Sequence, residues 1–363
     1  MSTKSGGKSI TICSTSFHQY DRRLIRIGKA LIDAGYTVTW ISRGKLDDSN
    51  SPFIHLIIDT LFKSGVLFYL EFNWKLFWKL IFHKTDCINA IDLDTIPASC
   101  LANIFKNKKL VFDAHEIYYE VPELTGKAIK KNVWKIAAKL FLPHIKYNYT
   151  VNHSLREHYY TRYRRAYAVI RNVPSKSKNL ETSKSNQKKL CYLGVVNKGR
   201  GLELAIEVMR KLPDYSLTII GEGDLYEELK KEAIDLPNVE FLGYVEPDKI
   251  GSILNTCSIG LNMLQAESLN YVLSLANKFF DYMHAGLPSI NMSYPEYENI
   301  LKKHPTGLMV SNYTAESLSS ALSKLEDTTK FQSLVDNCMK YKEHYSWENE
   351  QQKLVAFYHN IFV

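Results

Sequence analysis

The stretch that decides the fold is ESLNYVLSLANKFFDYMHAGLPSINMSYPE, residues 267–296. It runs from a loop through Lys278 into an apolar helical segment that ends at Gly286 with Pro288 beyond it, which indicates a helix stop. The start of this helix should bring backbone N–H groups and the Lys278 ammonium together, and such donors suit a diphosphate. Asp281 lies one turn further on, where a carboxylate suits a ribose diol. The plain alternative is a helix with a solvated lysine and aspartate.

The composition is that of an ordinary globular protein. The chain has 363 residues, of which 45% are apolar and 23% charged, and this length is natural for two domains. The six cysteines are scattered, without a CxxC pair, so we expect neither a zinc site nor disulfides, and a reducing cytosol fits. We find neither a secretory signal nor an apolar run of about 18 residues, so we expect no membrane-spanning helix.

The net charge of +8 is unevenly distributed. Residues 1–172 hold 26 Lys and Arg against 14 Asp and Glu (+12), and residues 173–363 hold 20 against 24 (−4). A basic half indicates a domain that faces an anionic surface or substrate. Anionic lipid and nucleic acid are the candidates. No helix-turn-helix, zinc finger or RNP-type motif favours nucleic acid, which we therefore do not expect as a partner.

Short apolar strand-like runs alternate with amphipathic helical patterns along the chain. This order predicts an α/β protein with parallel sheets covered by helices on both faces. The polar stretch 173–188 interrupts the alternation and indicates a linker. We predict two doubly wound domains, 1–172 and 189–345, with ligands at the carboxyl ends of strands in a central cleft.

Two motifs of the first half contain candidate binding residues. Asp113-Ala-His115-Glu116 follows a predicted buried strand, and a histidine there can donate to a sugar hydroxyl or bond a loop carbonyl. Arg22 and Arg23 open the first helix, and they suit an anionic acceptor or a phosphate. One of the two arginines is expected to be merely solvated. Asp21, just before them, suits a helix N-cap.

Asp92 and Asp94 follow the predicted strand at 87–91. Two carboxylates at this spacing suit an acid/base pair of the glycosidase kind. An N-cap at Asp94, with Pro97 in the first turn of the next helix, explains them more simply.

Glycine-rich loops follow two predicted strands of the second half. The segment GVVNKGRG at 194–201 resembles a phosphate cradle with Lys198 and Arg200, although it is neither a Walker A loop nor GxGxxG. Gly221-Glu222-Gly223 occupies the same place after the next strand, where glycines either let a ligand approach the backbone or form a tight turn.

Two amphipathic segments of the basic half suit a membrane interface. Lys127, Lys131, Lys135 and Lys139 recur every four residues on one helical face. Residues 66–82 interleave many aromatic and aliphatic side chains with two lysines. Core helices with solvated lysines are the alternative.

Taken together, these segments resemble the retaining glycosyltransferases of the GT-B fold, in the large family 4 group. The resemblance covers almost the whole chain. It rests on YDRRLIRIGKALIDAGYTVTWIS at 20–42, IDLDTIPASCLAN at 91–103, FDAHEIYYEVPEL at 112–124, YLGVVNKGRGLELAIEVM at 192–209, IIGEGDLYEEL at 219–229, VEFLGYV at 239–245, NKFFDYMHAGLPSI at 277–290 and YSWENE at 345–350.

The resemblance implies a role for each matching residue. Asp281 would bind the donor ribose, and His115 would lie near the transferred sugar. Arg200 stands where the family usually has a diphosphate-binding lysine, and Lys278 would be a second diphosphate contact. The closing segment 346–363 would be a helix that crosses back to the first domain. The catalytic residues are then His115, Arg200 and Lys278; the donor-binding residues Gly194, Gly221, Glu222, Gly243, Tyr244, Ser274, Asn277 and Asp281; and the acceptor-binding residues Arg22, Arg23, Asp94 and Glu116.

The chain departs from the family pattern at three places. The first of two glutamates in the second-domain signature is replaced by Leu273, with Ser274 next to it. Val195 stands where an arginine is usual, and the segment 14–19 replaces a Gly-Gly loop. A subgroup with NK[LF]F[DE]YM-like signatures shares the second-domain changes, which indicates a variant donor site.

We therefore expect a glycosyltransferase that moves a sugar from a nucleotide sugar to a lipid-linked or polysaccharide acceptor, without a cofactor or metal, in cell-surface polysaccharide synthesis. The family implies retention by same-face attack. We expect a peripheral location at the cytoplasmic inner face of an anionic membrane. The alternatives are a GT-B-type sugar-nucleotide epimerase and a non-catalytic subunit of a polysaccharide-assembly complex.

Overall fold

The computed structural model describes residues 7–17, 21–44, 53–121, 124–176 and 188–363. Most of the predicted linker at 173–188, and the end of the 14–19 segment, lie outside the described residues. The chain forms two compact units. The first comprises residues 1–172 and 350–363, and the second comprises residues 173–349.

The first unit is built on a parallel sheet. Its described strands are β1 (Ser9–Phe17), β2 (Thr37–Arg43), β3 (Ile54–Ile57), β4 (Cys87–Ile91), β5 (Lys109–Ala114), β6 (Tyr147–Thr150) and β7 (Ala168–Val169). Its helices are α1 (Arg22–Asp33), α2 (Gly65–Phe82), α3 (Ile96–Lys106), α4 (Ala128–Phe141) and α5 (His153–Tyr163). The strand order is β3-β2-β1-β4-β5-β6-β7, so the topology reverses between β1 and β4. Ligands of open α/β sheets bind at such a switch point.

The second unit repeats this architecture. Its described strands are β8 (Lys189–Leu193), β9 (Ser216–Ile220), β10 (Val239–Gly243), β11 (Ile259–Asn262), β12 (Ser289–Met292) and β13 (Gly307–Val310). Its helices are α6 (Leu202–Lys211), α7 (Tyr226–Glu232), α8 (Pro247–Thr256), α9 (Leu269–Val272), α10 (Asn277–His284), α11 (Pro295–Leu301), α12 (Ala315–Lys324) and α13 (Thr328–Tyr341). The order β10-β9-β8-β11-β12-β13 places the switch point between β8 and β11.

The last helix, α14 (Trp347–Phe362), adds a buried apolar face to the first unit. The ring of Tyr358 is fully buried and lies 6.3 Å from that of Tyr36. The ring of Phe357 lies 5.3 Å from that of Tyr149 on β6. Aromatic pairs of this geometry add specific contacts to the burial of apolar area.

Helix α1 shows how local signals fix an element. The carboxylate of Asp21 accepts a hydrogen bond from the backbone N–H of Leu24 at 3.0 Å, which confirms the predicted N-cap. The periodic apolar face is buried, and the chain leaves the helix through Gly35, whose φ of 91° favours glycine.

The sequence patterns missed some elements and misjudged one cap. The edge strands β3 and β13 were not predicted. Within the stretch 267–296, where one helix was expected, the structure has the short helix α9 and then α10, which begins at Asn277. The N-cap interpretation of Asp94 was wrong, because α3 begins after Thr95 and the carboxylate of Asp94 bonds elsewhere. None of the helices among the described residues combines the length and apolar character that crossing a membrane requires.

Candidate functional site

In the first unit, the polar residues after β4 and β5 form one buried network with α1. The guanidinium of Arg23 donates from Nη2 to Oδ1 of Asp113 at 2.8 Å and from Nε to Nε2 of His115 at 2.9 Å. The same His115 nitrogen lies 3.0 Å from Oδ2 of Asp113. It therefore accepts from Arg23 when the ring is neutral and can donate to Asp113 once the ring is protonated.

Asp92 holds the other side of the His115 ring. Its Oδ1 accepts the backbone N–H of His115 at 2.9 Å, and its Oδ2 lies 3.4 Å from Nδ1 of the ring. The backbone of Asp92 has a φ of 51°, which is rare for a residue other than glycine and is typical of functional sites. Burial lowers the pKa of His115, but Asp113 and Asp92 outweigh it and raise that pKa to about 9.

Asp94 is held from several directions. Its carboxylate accepts hydrogen bonds from the hydroxyl of Thr15 and, at 3.1 Å, from that of Tyr118. The Tyr118 hydroxyl in turn lies 3.0 Å from that of Tyr69. Burial and the neighbouring charge of Asp92 raise the pKa of Asp94 to about 7, against these hydrogen bonds.

These contacts change the expectation for two of the predicted acceptor residues. Arg23 and Asp94 are buried and engaged by neighbouring side chains, so their geometry is that of residues that position others. Arg22 is exposed and Glu116 half-buried. Of the two arginines, Arg22 is thus the solvated one.

In the second unit, three glycines meet at the carboxyl ends of β8, β9 and β10. The N–H of Gly221 donates to the carbonyl of Gly243 at 2.8 Å. A Cβ on Gly221 would stand 2.0 Å from the carbonyl oxygen of Gly194, and both residues have φ values near +134°. No side chain fits at that contact, so the glycines fix a close approach of the loops.

Lys278 lies at the start of α10 beside this loop cluster. Its side chain is only 7% exposed, and its ammonium stands 3.5 Å from the ring centre of Tyr192. A Cβ on Gly194 would come within 3.4 Å of the same ammonium. Among the residues that the structure describes, no carboxylate forms an ion pair with it. Burial, followed by the charge of Arg200, lowers the pKa of Lys278 well below its usual value.

Arg200 is the second cation of this site. Its guanidinium carbon lies 4.8 Å from the ring centre of Tyr271, and its buried Nε has no hydrogen-bond partner within the described parts of the chain. The preceding Gly199 packs against Glu267 and Tyr271, and it accepts the N–H of Gln265 at 2.9 Å. These contacts hold the loop that carries Arg200 against the segment before α9.

The remaining predicted donor residues lie in the same unit as these two cations. Oε1 of Glu222 accepts the N–H of Tyr244 at 3.2 Å, while the Tyr244 ring is exposed and open to stacking. Asp281 is half-buried, and its charge favours the protonated form of Lys278. The hydroxyl of Ser274 donates to the carbonyl of Tyr271 at 2.9 Å. Asn277 is exposed at the first position of α10.

Sequence patterns alone did not identify Tyr192 and Tyr271, whose rings lie beneath the two cations. The one available signal is the position of Tyr192, which lies in the buried strand β8, two residues before Gly194. Within the described residues, no group of three or more His, Cys, Asp or Glu side chains is arranged to hold a metal ion.

A surface of exposed apolar side chains covers part of the first unit, and we call it the apolar surface. Its members come from α2, α3 and α4: Val66, Leu67, Leu70, Trp74, Trp78, Phe82, Leu101, Ile104, Phe105, Ile129, Val133, Ile136 and Leu140. In the predicted lysine stripe on α4, Lys131 and Lys135 both pair with Glu120. Many exposed apolar side chains on neighbouring helices are typical of an interaction surface.

Known proteins share both this fold and part of this sequence. An Escherichia coli O-antigen biosynthesis glycosyltransferase, WbnH, is 30% identical over 102 residues, which are 26% of this chain. The chain spans 30% of the length of the curated relatives it matches. A glycosyltransferase from Rickettsia africae has a TM-score of 0.76 at 14% identity, covering 98% of this chain and 99% of its own.

Anabaena HepE, solved with UDP and glucose, has a TM-score of 0.74 at 15% identity and covers 96% of this chain and 98% of its own. These likenesses establish the GT-B fold predicted from the sequence. The family model of the glycosyl transferases group 1 matches residues 175–343. The second unit is therefore similar to the group 1 glycosyl transferases over residues 175–343, and the chain has a GT-B fold.

Proposed function

We propose that the protein transfers a sugar from a nucleotide-sugar donor to a lipid-linked or polysaccharide acceptor, with retention, in cell-surface polysaccharide synthesis. The observation that carries this proposal is Lys278, a buried ammonium beside Arg200 and without an ion pair among the described residues. Burying a charge without a partner is costly. A bound diphosphate would supply the missing anion, and this motivates a donor site here.

The two cations also suit the chemistry of the transfer. When the glycosidic bond of a nucleotide sugar breaks, negative charge develops on the leaving diphosphate. Lys278 and Arg200, fixed over the rings of Tyr192 and Tyr271, offer cationic donors before the reaction begins. Preorganised charge of this kind stabilises the transition state without a cost of reorganisation. We therefore propose that these two residues stabilise the leaving group without a metal ion.

Relatives support the choice of donor and acceptor class. Structures of Anabaena HepE contain UDP, UDP with glucose, and UDP-glucose, so a uridine diphosphate sugar is the first donor to test. The match to WbnH, described as an O-antigen biosynthesis glycosyltransferase, and the similar fold of WaaG, described as involved in lipopolysaccharide biosynthesis, support a polysaccharide or lipid-linked acceptor.

The first unit suits the acceptor side. With its pKa raised, the His115 ring is held on its two nitrogens by Asp92 and Asp113, so its orientation is fixed. We propose that it helps to position the transferred sugar. The epimerase alternative needs two available carboxyls, and the burial and hydrogen bonds of Asp94 disfavour it.

We further propose that the first unit works at the inner face of an anionic membrane. Its charge of +12 and the apolar surface on α2, α3 and α4 support this location. Lipid-linked acceptors are held in a membrane, and basic and aromatic side chains together favour its interface.

A screen of nucleotides and nucleotide sugars tests the proposal. UDP, GDP, ADP and CMP are compared by thermal shift, since a ligand at 100 times its dissociation constant adds about 2.7 kcal/mol of stability. Nucleotide sugars of the stabilising base are then incubated with the protein and analysed by NMR. Sugar transfer or hydrolysis supports a transferase, and the anomeric configuration of the product reports retention. An epimerised donor would contradict the proposal in favour of the epimerase. Absence of binding by every nucleotide would contradict it in favour of the non-catalytic subunit.

A further inference from the structure

A groove of about 490 Å³ runs along α2 of the first unit. Its floor and walls include Ile57 and Ile58, at the end of the edge strand β3, and the helix residues Trp74, Trp78 and Phe82. This volume falls in the range of small-molecule sites. The groove lies within one unit and belongs to neither of the polar sites described above.

One wall of the groove is an aromatic ladder with a spacing of four residues. The rings of Trp74 and Trp78 meet edge to face at 5.7 Å, and those of Trp78 and Phe82 stack at 5.9 Å. These three side chains nevertheless remain 63%, 41% and 79% exposed. Large aromatic side chains held in fixed contact yet open to solvent mark a binding surface.

The charges at the groove are mainly cationic. Lys75 donates to the Glu71 carboxylate at 2.7 Å and to the Asp59 carbonyl at 2.7 Å. Lys79 has no ion pair among the described residues. The Asp59 carboxylate also lines the groove and lies 3.5 Å from the ammonium of Lys63. Lys79 is therefore available to bind the anionic group of a ligand.

We propose that this groove binds the hydrocarbon chain of a lipid phosphate, with the chain along the aromatic ladder and the phosphate at Lys79. The lining is almost entirely hydrocarbon and aromatic, so it offers few partners for the backbone of an extended peptide. A chain with one anionic end matches both the apolar wall and the unpaired lysine. The inference rests on the proposed function, because the bound lipid phosphate would be the carrier of the acceptor sugar.

The binding itself is tested without a nucleotide, by titrating the full-length protein with farnesyl phosphate below its critical micelle concentration in a calorimeter. Farnesol and inorganic phosphate are titrated in parallel, so that the contributions of the chain and of the phosphate separate. The variants are Trp78→Ser and Lys79→Gln. The control is Ile234→Ser, which alters an 86% exposed apolar residue of the second unit, outside both the groove and the apolar surface.

We expect farnesyl phosphate to bind and Trp78→Ser to weaken it at least tenfold. Lys79→Gln should weaken the binding of farnesyl phosphate several-fold and leave that of farnesol unchanged, and Ile234→Ser should bind as the wild type does. Absence of binding, or an equal loss in Ile234→Ser and Trp78→Ser, overturns the proposal. So does a concentration-dependent dimer that Trp78→Ser dissociates, because a second copy would then fill the groove.

Donor-site readouts keep this result separate from the proposed function. UDP binding, measured on the same Trp78→Ser protein, is expected to match the wild type because the donor residues lie in the other unit. Nucleotide binding without lipid binding would overturn only the proposal that the groove binds a lipid phosphate. Lipid binding without any nucleotide binding would support that proposal and contradict the proposed transferase function.

Discussion

The guanidinium of Arg23 and the carboxylate of Asp113 form an ion pair at 2.8 Å in which the two side chains are only 6% and 0% exposed. Removing one partner of a buried pair leaves the other charge unpaired and typically costs about 3–5 kcal/mol. We therefore expect Asp113→Leu to lower the free energy of unfolding by that amount, measured by urea denaturation at pH 7. Arg23→Met should lower it less, because the protonated His115 still pairs with Asp113 at 3.0 Å.

The double variant Arg23→Met/Asp113→Leu is the control for this prediction. It removes both charges, so its loss should be smaller than the sum of the two single losses, as for residues in one network. Strictly additive losses would show that the two side chains act independently. Losses below about 1 kcal/mol, the range of solvent-exposed pairs, would contradict the burial of the pair.

Parts of the fold and the site could be predicted from local signals. The cap at Asp21 and the end of α10 at Gly286 depend on neighbours in the chain, and the structure has both. The surroundings of Lys278 and Asp94 could not be predicted in this way. Tyr192 lies far along the chain from Lys278, and Thr15 lies 79 positions from Asp94. Such partners meet only through the order of the strands, so a local cap rule failed at Asp94.

Lys278 and Arg200 should each contribute to nucleotide binding. A charge-assisted contact to a diphosphate is worth about 1.5–3 kcal/mol, so Lys278→Ala and Arg200→Ala should each weaken the binding of UDP, or of whichever nucleotide the screen selects, by that amount. Titration calorimetry measures the loss. The matched control is Lys198→Ala. The loop pattern grouped Lys198 with Arg200, but in the structure its side chain is 78% exposed and pairs with Glu267. Unchanged affinity in both variants, or an equal loss in the control, would contradict the assignment.

The lowered pKa of Lys278 predicts proton uptake when a diphosphate binds. In the free protein, burial and Arg200 disfavour the charged ammonium. A bound diphosphate favours it and raises the pKa, so between the two pKa values binding takes up a proton and affinity falls as the pH rises. Calorimetry across a pH series, in buffers of different ionisation enthalpy, measures this uptake. Lys278→Met should abolish it, and uptake that persists in that variant would assign the proton to another group.

We predict that Asp281 contributes to the binding of the intact nucleotide but not to the binding of free pyrophosphate. A carboxylate on α10 between the buried side chains of Phe280 and Tyr282 is not explained by apolar packing. Asp281→Asn is nearly isosteric, so it should fold normally, lose affinity for the intact nucleotide and bind free pyrophosphate almost unchanged. Circular dichroism checks the fold and calorimetry the two ligands. An equal loss for both ligands would argue against a ribose contact.

The lysine stripe on α4 should contribute to membrane binding. Each basic residue near an anionic surface contributes about 1 kcal/mol, screened by salt. Lys131 and Lys135 already pair with Glu120, so they contribute less than free lysines would. We expect the change of Lys127, Lys131, Lys135 and Lys139 to Gln to weaken binding to anionic vesicles by about 2–4 kcal/mol in co-sedimentation.

The control for the stripe removes the same charge from the second unit, with Lys230, Lys231, Lys303 and Lys330 changed to Gln. If the stripe acts locally, this control sediments like the wild type, whereas a dependence on net charge alone would weaken both proteins equally. Salt should release the wild type only in part, because the apolar surface is insensitive to screening. Equal sedimentation of the stripe variant and the wild type, or no binding by either, would show that the stripe is a solvated face and would favour a soluble acceptor.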